Sequence, residues 1–356
     1  MEAQVASGNK VLAKRRDLGL SQEALAQAGG VTRQAIGAIE GGRTQPGVAL
    51  ALAIARTLNT SVEELFGVDE DEEISLEAGD VPSLGQRVVV ATVGDRSVIR
   101  SLDWPSLGSV PEPAQAIVME SRDKRARLRR LEPGQPAEMT VLVSGCDLGL
   151  GLLVRHLDAR KGRGIWFSQS NQGALAELAA GRTHIAAIHG PEAERRKLGP
   201  ARRFDLAQIE EGWLVARGNP LGFRGARDFA RGKLRLANRP AGAGARALLD
   251  AELRRASIDP RKIPGYDREL GGHLDVARAV SQGFADVGVG IASAARMFGL
   301  EFIALRSERC TLLIPENHLR HPGVAALVET LRSGAFRRDL EAFGPYDTRR
   351  IGEEIA

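Results

Sequence analysis

Cys146 and Asp147 stand side by side where an apolar run, Thr140-Val141-Leu142-Val143, meets the glycine-bearing segment Ser144-Gly145-Cys146-Asp147-Leu148-Gly149. A strand that ends in glycine and opens a helix presents free backbone N–H groups at the positive end of the helix dipole, a natural seat for an anion or carboxylate. Two further junctions repeat the pattern. Trp166-Phe167-Ser168-Gln169-Ser170-Asn171 places Ser170 as the cap of a following helix. Leu236-Ala237-Asn238-Arg239-Pro240-Ala241-Gly242-Ala243-Gly244-Ala245-Arg246 is a strand, a glycine-rich turn and a helix flanked by two arginines. Three converging helix starts describe a ligand cleft. Its candidate residues are Ser144, Gly145, Cys146, Asp147, Ser170, Asn238, Arg239, Gly242, Gly244 and Arg246. His189, at the end of an expected strand, and His273, at the start of an expected helix, join them.

The same residues admit other chemistry. A thiol at a helix start is where cysteines become nucleophilic or redox-active, so redox sensing through Cys146, or catalysis using Cys146 or His189, stands as an alternative. No histidine lies near Cys146 in sequence, and an enzyme is not expected. The histidines, His156, His184, His189, His273, His318 and His321, show no zinc-binding spacing, and neither metal nor cofactor is expected. His318 and His321 follow Pro315 in an expected surface turn.

A second constellation lies near the N-terminus. Ser21 to Glu40 reads as helix, tight turn, helix: Gly29 and Gly30 permit the turn, Ala24 is small enough for the helices to approach, and Leu25, Val31, Ile36 and Ile39 face a shared core. Thr32, Arg33, Gln34 and Gly37 then lie at the exposed start of the second helix. Arginine can pair bidentately with guanine and an amide with adenine.

The elements that must position these residues follow from periodicity. Between Lys10 and Phe66 apolar residues recur at helical spacing, giving five helices near 8–18, 21–28, 32–40, 47–58 and 61–66. The acidic run Asp69 to Glu73 is self-repelling and reads as a linker. Alternating stretches between 86 and 132 read as a small β-meander, ending in a basic cluster, Arg122 to Arg130, taken as a solvated strand face. From Met139 on, short apolar runs alternate with helical patterns, the mark of an α/β domain with mainly parallel strands. Strands are expected at 140–144, 164–167, 185–189, 213–216, 234–238, 286–291 and 302–305. The division is therefore 1–67, an all-α module; 68–82, a linker; 83–137, a β-rich segment; and 138–350, a larger α/β domain.

Composition agrees with a multidomain globular chain. The 356 residues are 43% hydrophobic and 26% charged, with a net charge of +4, too small to name a partner by itself. Cys146 and Cys310 offer no disulfide framework. Met1 to Leu20 lacks a secretory core, and the longest apolar stretch, Val48 to Ala55, is far short of the roughly 20 residues that span a bilayer. A cytoplasmic protein without membrane contact is expected.

Residues 9–66, with Glu40-Gly41-Gly42-Arg43-Thr44-Gln45-Pro46 and Leu58-Asn59-Thr60-Ser61-Val62-Glu63-Glu64-Leu65-Phe66, resemble the Cro/repressor (XRE) class of helix-turn-helix domains. The resemblance implies that the second helix of the motif lies in the major groove of double-stranded DNA with Thr32, Arg33, Gln34 and Gly37 toward the base edges and Gln22 and Arg43 on the phosphate backbone, and, for a dimer, a palindromic operator. Residues 138–348, through Ser-Gly-Cys-Asp and Asn-Arg-Pro-x-Gly-x-Gly-x-Arg, resemble the periplasmic-binding-protein-like domains related to molybdate-binding proteins. What this implies is a two-lobed sensor for a small polar or anionic ligand, closing about a hinge. The chain carries Ala243 and Ala245 where relatives carry hydroxyls, so two donors suited to a tetrahedral oxyanion are missing.

Overall fold

The computed structural model describes residues 2–66, 71–75, 82–102, 114–122, 125–131, 137–157, 162–190 and 200–355. Asp69 and Glu70 of the acidic run, residues 76–81 of the expected linker and Lys124 of the basic cluster lie outside them. The chain divides into two compact units, Met1–Glu72 and Glu73–Ala356.

The first unit is five helices: α1 Glu2–Asp17, α2 Gln22–Gly29, α3 Arg33–Glu40, α4 Val48–Thr57 and α5 Val62–Phe66. Ser21 caps α2 by accepting the Ala24 N–H at 3.0 Å, and Gly30, at φ 64°, turns the chain out of it. Thr32 caps α3, accepting the Ala35 N–H at 3.2 Å. Leu25, Ala26, Ile36, Ile39, Ile54, Leu58 and Leu65 form the core with Val11. Ala24, expected where the helices approach, is exposed; Ala26, two residues on and on the opposite side of the helix, is the small buried residue. Gly29 remains helical, and its need is space: a Cβ there would stand 2.8 Å from Leu50 Cδ1.

From the boundary of the units onward runs a five-stranded sheet of order β1-β5-β4-β2-β3, from β1 Asp71–Ser75, β2 Arg87–Val93, β3 Arg96–Ser101, β4 Ala116–Arg122 and β5 Arg125–Arg130. Part of the acidic run is thus an edge strand and not an unpacked linker: Ile74 is buried, and Glu73 pairs with Arg125 at 3.0 Å, so the basic strand neutralises the acidic one. Along β5, Ala126 and Leu128 face inward while Arg125, Arg127 and Arg129 face solvent. One face of the sheet shares a core with the larger domain, where Val89, Ala91, Val93 and Val98 pack on Leu142, Ile165 and Phe167. Arg100 crosses the same boundary to Glu177 and lies 4.3 Å above the Phe167 ring.

The larger domain is built on an eight-stranded sheet, β10-β11-β9-β12-β8-β6-β7 with β13 beside β9. Its strands are β6 Thr140–Gly145, β7 Arg163–Ser168, β8 Ile185–His189, β9 Ala201–Val215, β10 Leu236–Ala237, β11 Val287–Ile291, β12 Glu301–Pro315 and β13 Glu354–Ile355. The helices are α6 Gly149–His156, α7 Asn171–Ala179, α8 Gly244–Arg255, α9 His273–Ser281, α10 Ala292–Met297, α11 Pro322–Leu331 and α12 Gly334–Phe343. β6, β7 and β8 are parallel, as are β10 and β11. The expectation of mainly parallel strands fails in the middle, where β9 and β12 pair antiparallel along their whole 15-residue lengths.

These two strands serve both lobes: β6, β7 and β8 with α6 and α7 make lobe one, and β10 and β11 with α8 and α9 make lobe two. The later half of β12 pairs with β8 of lobe one, while the end of β9 pairs with β11 of lobe two. Lobe two has its own core around Trp213, Phe223, Phe229 and Leu248. Sequence reading found only 213–216 and 302–305 of the long strands, because Glu210, Glu211, Arg306, Glu308 and Arg309 break the alternation where the lobes meet. Pairing there is tight: a Cβ on Gly212 would stand 2.2 Å from the Ile303 carbonyl oxygen.

Candidate functional site

The ends of β6 and β8 bring Cys146 and His189 together. Cys146 Sγ lies 3.1 Å from His189 Nε2, and His189 Nδ1 lies 2.7 Å from Glu308 Oε2 and 3.9 Å from Glu211 Oε1. All four are buried. Arg306 ties the two carboxylates, donating to Glu211 through Nε at 3.0 Å and Nη2 at 2.6 Å and reaching Glu308 at 2.9 Å. Register shifts in β12 flank this segment, between Ala304 and Arg306 and between Cys310 and Thr311, and bulges of this kind re-aim side chains. The Asn171 amide fixes the His189 backbone, donating to its carbonyl at 2.7 Å and accepting its N–H at 3.2 Å. Burial opposes protonation of His189, but Cys146 above all, then Glu308 and Glu211, hold its pKa well above the usual imidazole range.

Lobe two contributes a cation and a second imidazole. Arg239 is 4% exposed, and neither its Nε nor its Nη1 has a partner. Desolvation pulls its pKa down, against the attraction of Cys146, Glu211 and Asp275. His273, the first residue of α9, is 3% exposed with Nδ1 unpartnered. Burial, then Arg239 and His189, hold it well below the ordinary histidine range. Gly244 opens α8 against the His189 ring; a Cβ there would meet Cε1 at 3.2 Å. At the rim, Gly242 (φ 90°) lies so close to Gln172 that a Cβ would fall 2.5 Å from Oε1.

Several expected ligand residues serve the scaffold. Asp147 Oδ1 accepts the Gly149 N–H at 2.8 Å and the Tyr346 hydroxyl at 3.2 Å. Its burial outweighs these bonds and the charge of His189, pushing its pKa up to about 6. Ser170 caps α7 by accepting the Gly173 N–H at 3.1 Å. Asn238 accepts the Arg239 N–H at 2.9 Å and donates to the Tyr266 carbonyl at 2.6 Å. Arg246, expected at the ligand, is turned to Asp250 and Glu269 and stacks on Tyr266 at 4.2 Å. Gly145 packs between Ala187 and Leu150, and Ser144 is buried with an unpartnered hydroxyl. Ala245 lies in the lobe-two core and Ala243 precedes α8 without a side-chain cap. Sequence reading missed Glu211, Arg306, Glu308 and Tyr346; charges inside an otherwise apolar strand were the signal for the first three.

In the first unit Arg33 and Gln34 are exposed at the start of α3, and Gly37 is half-buried one turn on. A chain of side chains backs them. Arg15 holds Glu40 at 2.5 and 3.1 Å, Gln22 donates to Glu40 at 2.8 Å, and Gln22 Oε1 accepts Arg33 Nε at 3.4 Å. Desolvation would raise the Glu40 pKa, but Arg15 and Gln22 bring it below the carboxylate norm. Gln22 therefore orients Arg33, and Thr32 is occupied as the cap. Arg43 leans toward the Gly37 carbonyl at 3.4 Å.

Residues 11–65 match the helix-turn-helix family and residues 154–332 match the PBP superfamily domain. The uncharacterized protein YvgK of Bacillus subtilis is 27% identical over 248 residues, 66% of this chain and 79% of that protein. An uncharacterized HTH-type transcriptional regulator of Methanothermobacter thermautotrophicus is 52% identical over 58 residues, 16% of this chain and 84% of that protein. A structure described as a phosphate ABC transporter substrate-binding protein of Clostridium perfringens aligns at TM-score 0.46 and 12% identity, over 58% of this chain and 98% of that one. The chain belongs to the helix-turn-helix family through its first unit and to the PBP-like family through its second. It is a helix-turn-helix transcription regulator with a PBP-like domain. No helix among the described residues is long and apolar enough to cross a membrane.

Proposed function

We propose that this regulator is gated by a small anionic ligand held between the lobes, and that the cleft works by binding and not by turnover. The observation that carries the reading is Arg239, a buried guanidinium with two N–H-bearing atoms unsatisfied. Leaving such donors unmade costs about 1–3 kcal/mol each, which an anion repays. Ligand draws Arg239 and His273 of lobe two toward Cys146 and His189 of lobe one. Closure shifts the population of a cytoplasmic dimer whose α3 helices sit on the half-sites of a palindromic operator. Arg33 and Gln34 read bases there with Gln22 orienting Arg33, Gly37 lets α3 approach them, Arg43 addresses the phosphate backbone, and Thr32 fixes the helix start.

The test is thermal unfolding of the metal-free protein with phosphate, sulfate, formate and acetate. A ligand at a hundred times its dissociation constant stabilises by about 2.7 kcal/mol. At least one anion is expected to raise the wild-type melting temperature and to have no effect on Arg239→Met. Equal responses in the two proteins, or none in either, contradict the reading.

A further inference from the structure

Three side chains that the anion reading leaves partly unused carry a second ligand chemistry. One atom each of Cys146, His189 and His273 can be chosen so that all lie within 4.8 Å of one another, and all three residues are buried. A sulfur and two imidazole nitrogens form a donor set for borderline-soft ions such as Zn²⁺. His189 has the partner that metal-binding histidines typically have: while Nε2 faces Cys146, Nδ1 is 2.7 Å from Glu308 Oε2, which fixes the ring and raises its basicity as a ligand. His273 is likewise buried, and its Nδ1 has no hydrogen-bond partner. The site eluded sequence reading because its ligands come from β6, β8 and α9 and share no local spacing.

We propose that Cys146, His189 and His273 form a three-ligand site for a divalent d-block ion of the Zn²⁺ type. This deepens the sensor reading and rests on it for the regulatory consequence alone. Donor atoms on one tetrahedral ion stand roughly 3.3–3.6 Å apart, given metal–sulfur and metal–nitrogen bonds of about 2.3 and 2.0 Å. The Cys146–His189 pair, at 3.1 Å, is within a few tenths of an ångström of that spacing. Cys146 and His189 belong to lobe one and His273 to lobe two, so an ion that bonds all three pulls the lobes together. Three protein ligands leave one tetrahedral position open, and Arg239, buried with Nε and Nη1 unpartnered, offers donors to an anion.

The probe is Co²⁺, titrated into the reduced full-length protein while absorbance is recorded. One equivalent is expected to give thiolate-to-cobalt charge transfer together with the intense ligand-field bands of a tetrahedral ion. Cys146→Ser should lose the charge transfer, and His273→Gln, on the other lobe, should weaken binding at least tenfold. Unfolding curves establish that each variant is folded. Absence of charge transfer in the wild type, or the same titration in a folded Cys146→Ser, overturns the site. Because the anion screen is run without metal, a silent Co²⁺ titration leaves its outcome untouched, and an anion failure leaves the Co²⁺ result interpretable.

Discussion

His189 Nδ1 lies 2.7 Å from the Glu308 carboxylate, joining the last residue of β8 to the middle of β12. That contact makes the cleft electrostatically continuous with the strands that connect the lobes, since Arg306 binds both Glu308 and Glu211 from the same stretch of sheet. A change of charge beside His189 is therefore felt on β9 and β12, and movement of those strands is felt at His189.

The connecting strands are expected to tolerate no added bulk at Gly212. A methyl group there meets the Ile303 carbonyl, a backbone atom that cannot swing away. Gly212→Ala should lower the urea midpoint by the equivalent of about 1–3 kcal/mol, as overpacking does elsewhere. An unchanged midpoint would mean that β9 and β12 can part at this point without cost.

Arg239 should act against stability while the cleft is empty. Arg239→Met keeps most of the apolar stem and removes unsatisfied donors, so the variant should unfold about 1–3 kcal/mol later than the wild type in metal-free, anion-free buffer. Calorimetry decides; a large loss of stability instead would show that Arg239 already satisfies a neighbour in the empty protein.

His184 gives the second unit a pH dependence. Its Nδ1 accepts the Leu142 N–H at 3.0 Å and its Nε2 lies 2.8 Å from the Thr92 carbonyl, while the His321 and His318 rings lie 4.6 and 5.7 Å away. His318, expected in a surface turn, is buried and bonds the His184 carbonyl at 3.0 Å. Burial, then His321, lowers the His184 pKa to about 3 from 6.5. The unfolded chain thus takes up a proton that the folded one refuses, so the contribution is complete above pH 6.5 and fades as pH falls toward 3. The slope approaches about 1.4 kcal/mol per pH unit. His321, also lowered, adds in the same direction. Urea midpoints at pH 7 and pH 5 should converge in His184→Gln relative to wild type; parallel behaviour would exclude His184 as the source.

On the DNA side, cap and reader should separate. Arg33→Ala and Gln34→Ala should each cost about 1–3 kcal/mol of discrimination between operator and point-mutated duplex at fixed salt, with little change in melting temperature. Thr32→Ala should lower stability by about 1 kcal/mol, because its hydroxyl holds the Ala35 N–H. Gel-shift titrations beside thermal melts distinguish the two, and an Arg33→Ala protein with full discrimination would remove Arg33 from the reading set.

How much was legible follows from where the signals are local. Caps such as Ser21, Thr32 and Ser170 announce themselves within three residues, and the helices and short parallel strands followed from them. Cys146, His189, Arg239 and His273 were all named from the starts and ends of elements. What escaped was the meeting of distant segments. Glu308 and Glu211 gain meaning only once β9 and β12 are seen as single long strands, and their own charges disguised that. Arg246 looked equivalent to Arg239 because both flank one turn, but only the register of α8 decides that it faces Asp250 and Tyr266. Likewise Asp71–Ser75 looked unpackable until β5 supplied the opposite charge.

The central claim is that occupancy of the cleft changes DNA binding. It is tested by fluorescence anisotropy of the full chain on a duplex from upstream of its own gene, with and without whichever of phosphate, sulfate, formate or acetate stabilises it most. The operator Kd is expected to change at least fivefold, the lower range of typical allosteric coupling at about 1 kcal/mol, and Arg239→Met is expected to show no change. Identical operator affinity in the presence and absence of that anion would contradict it.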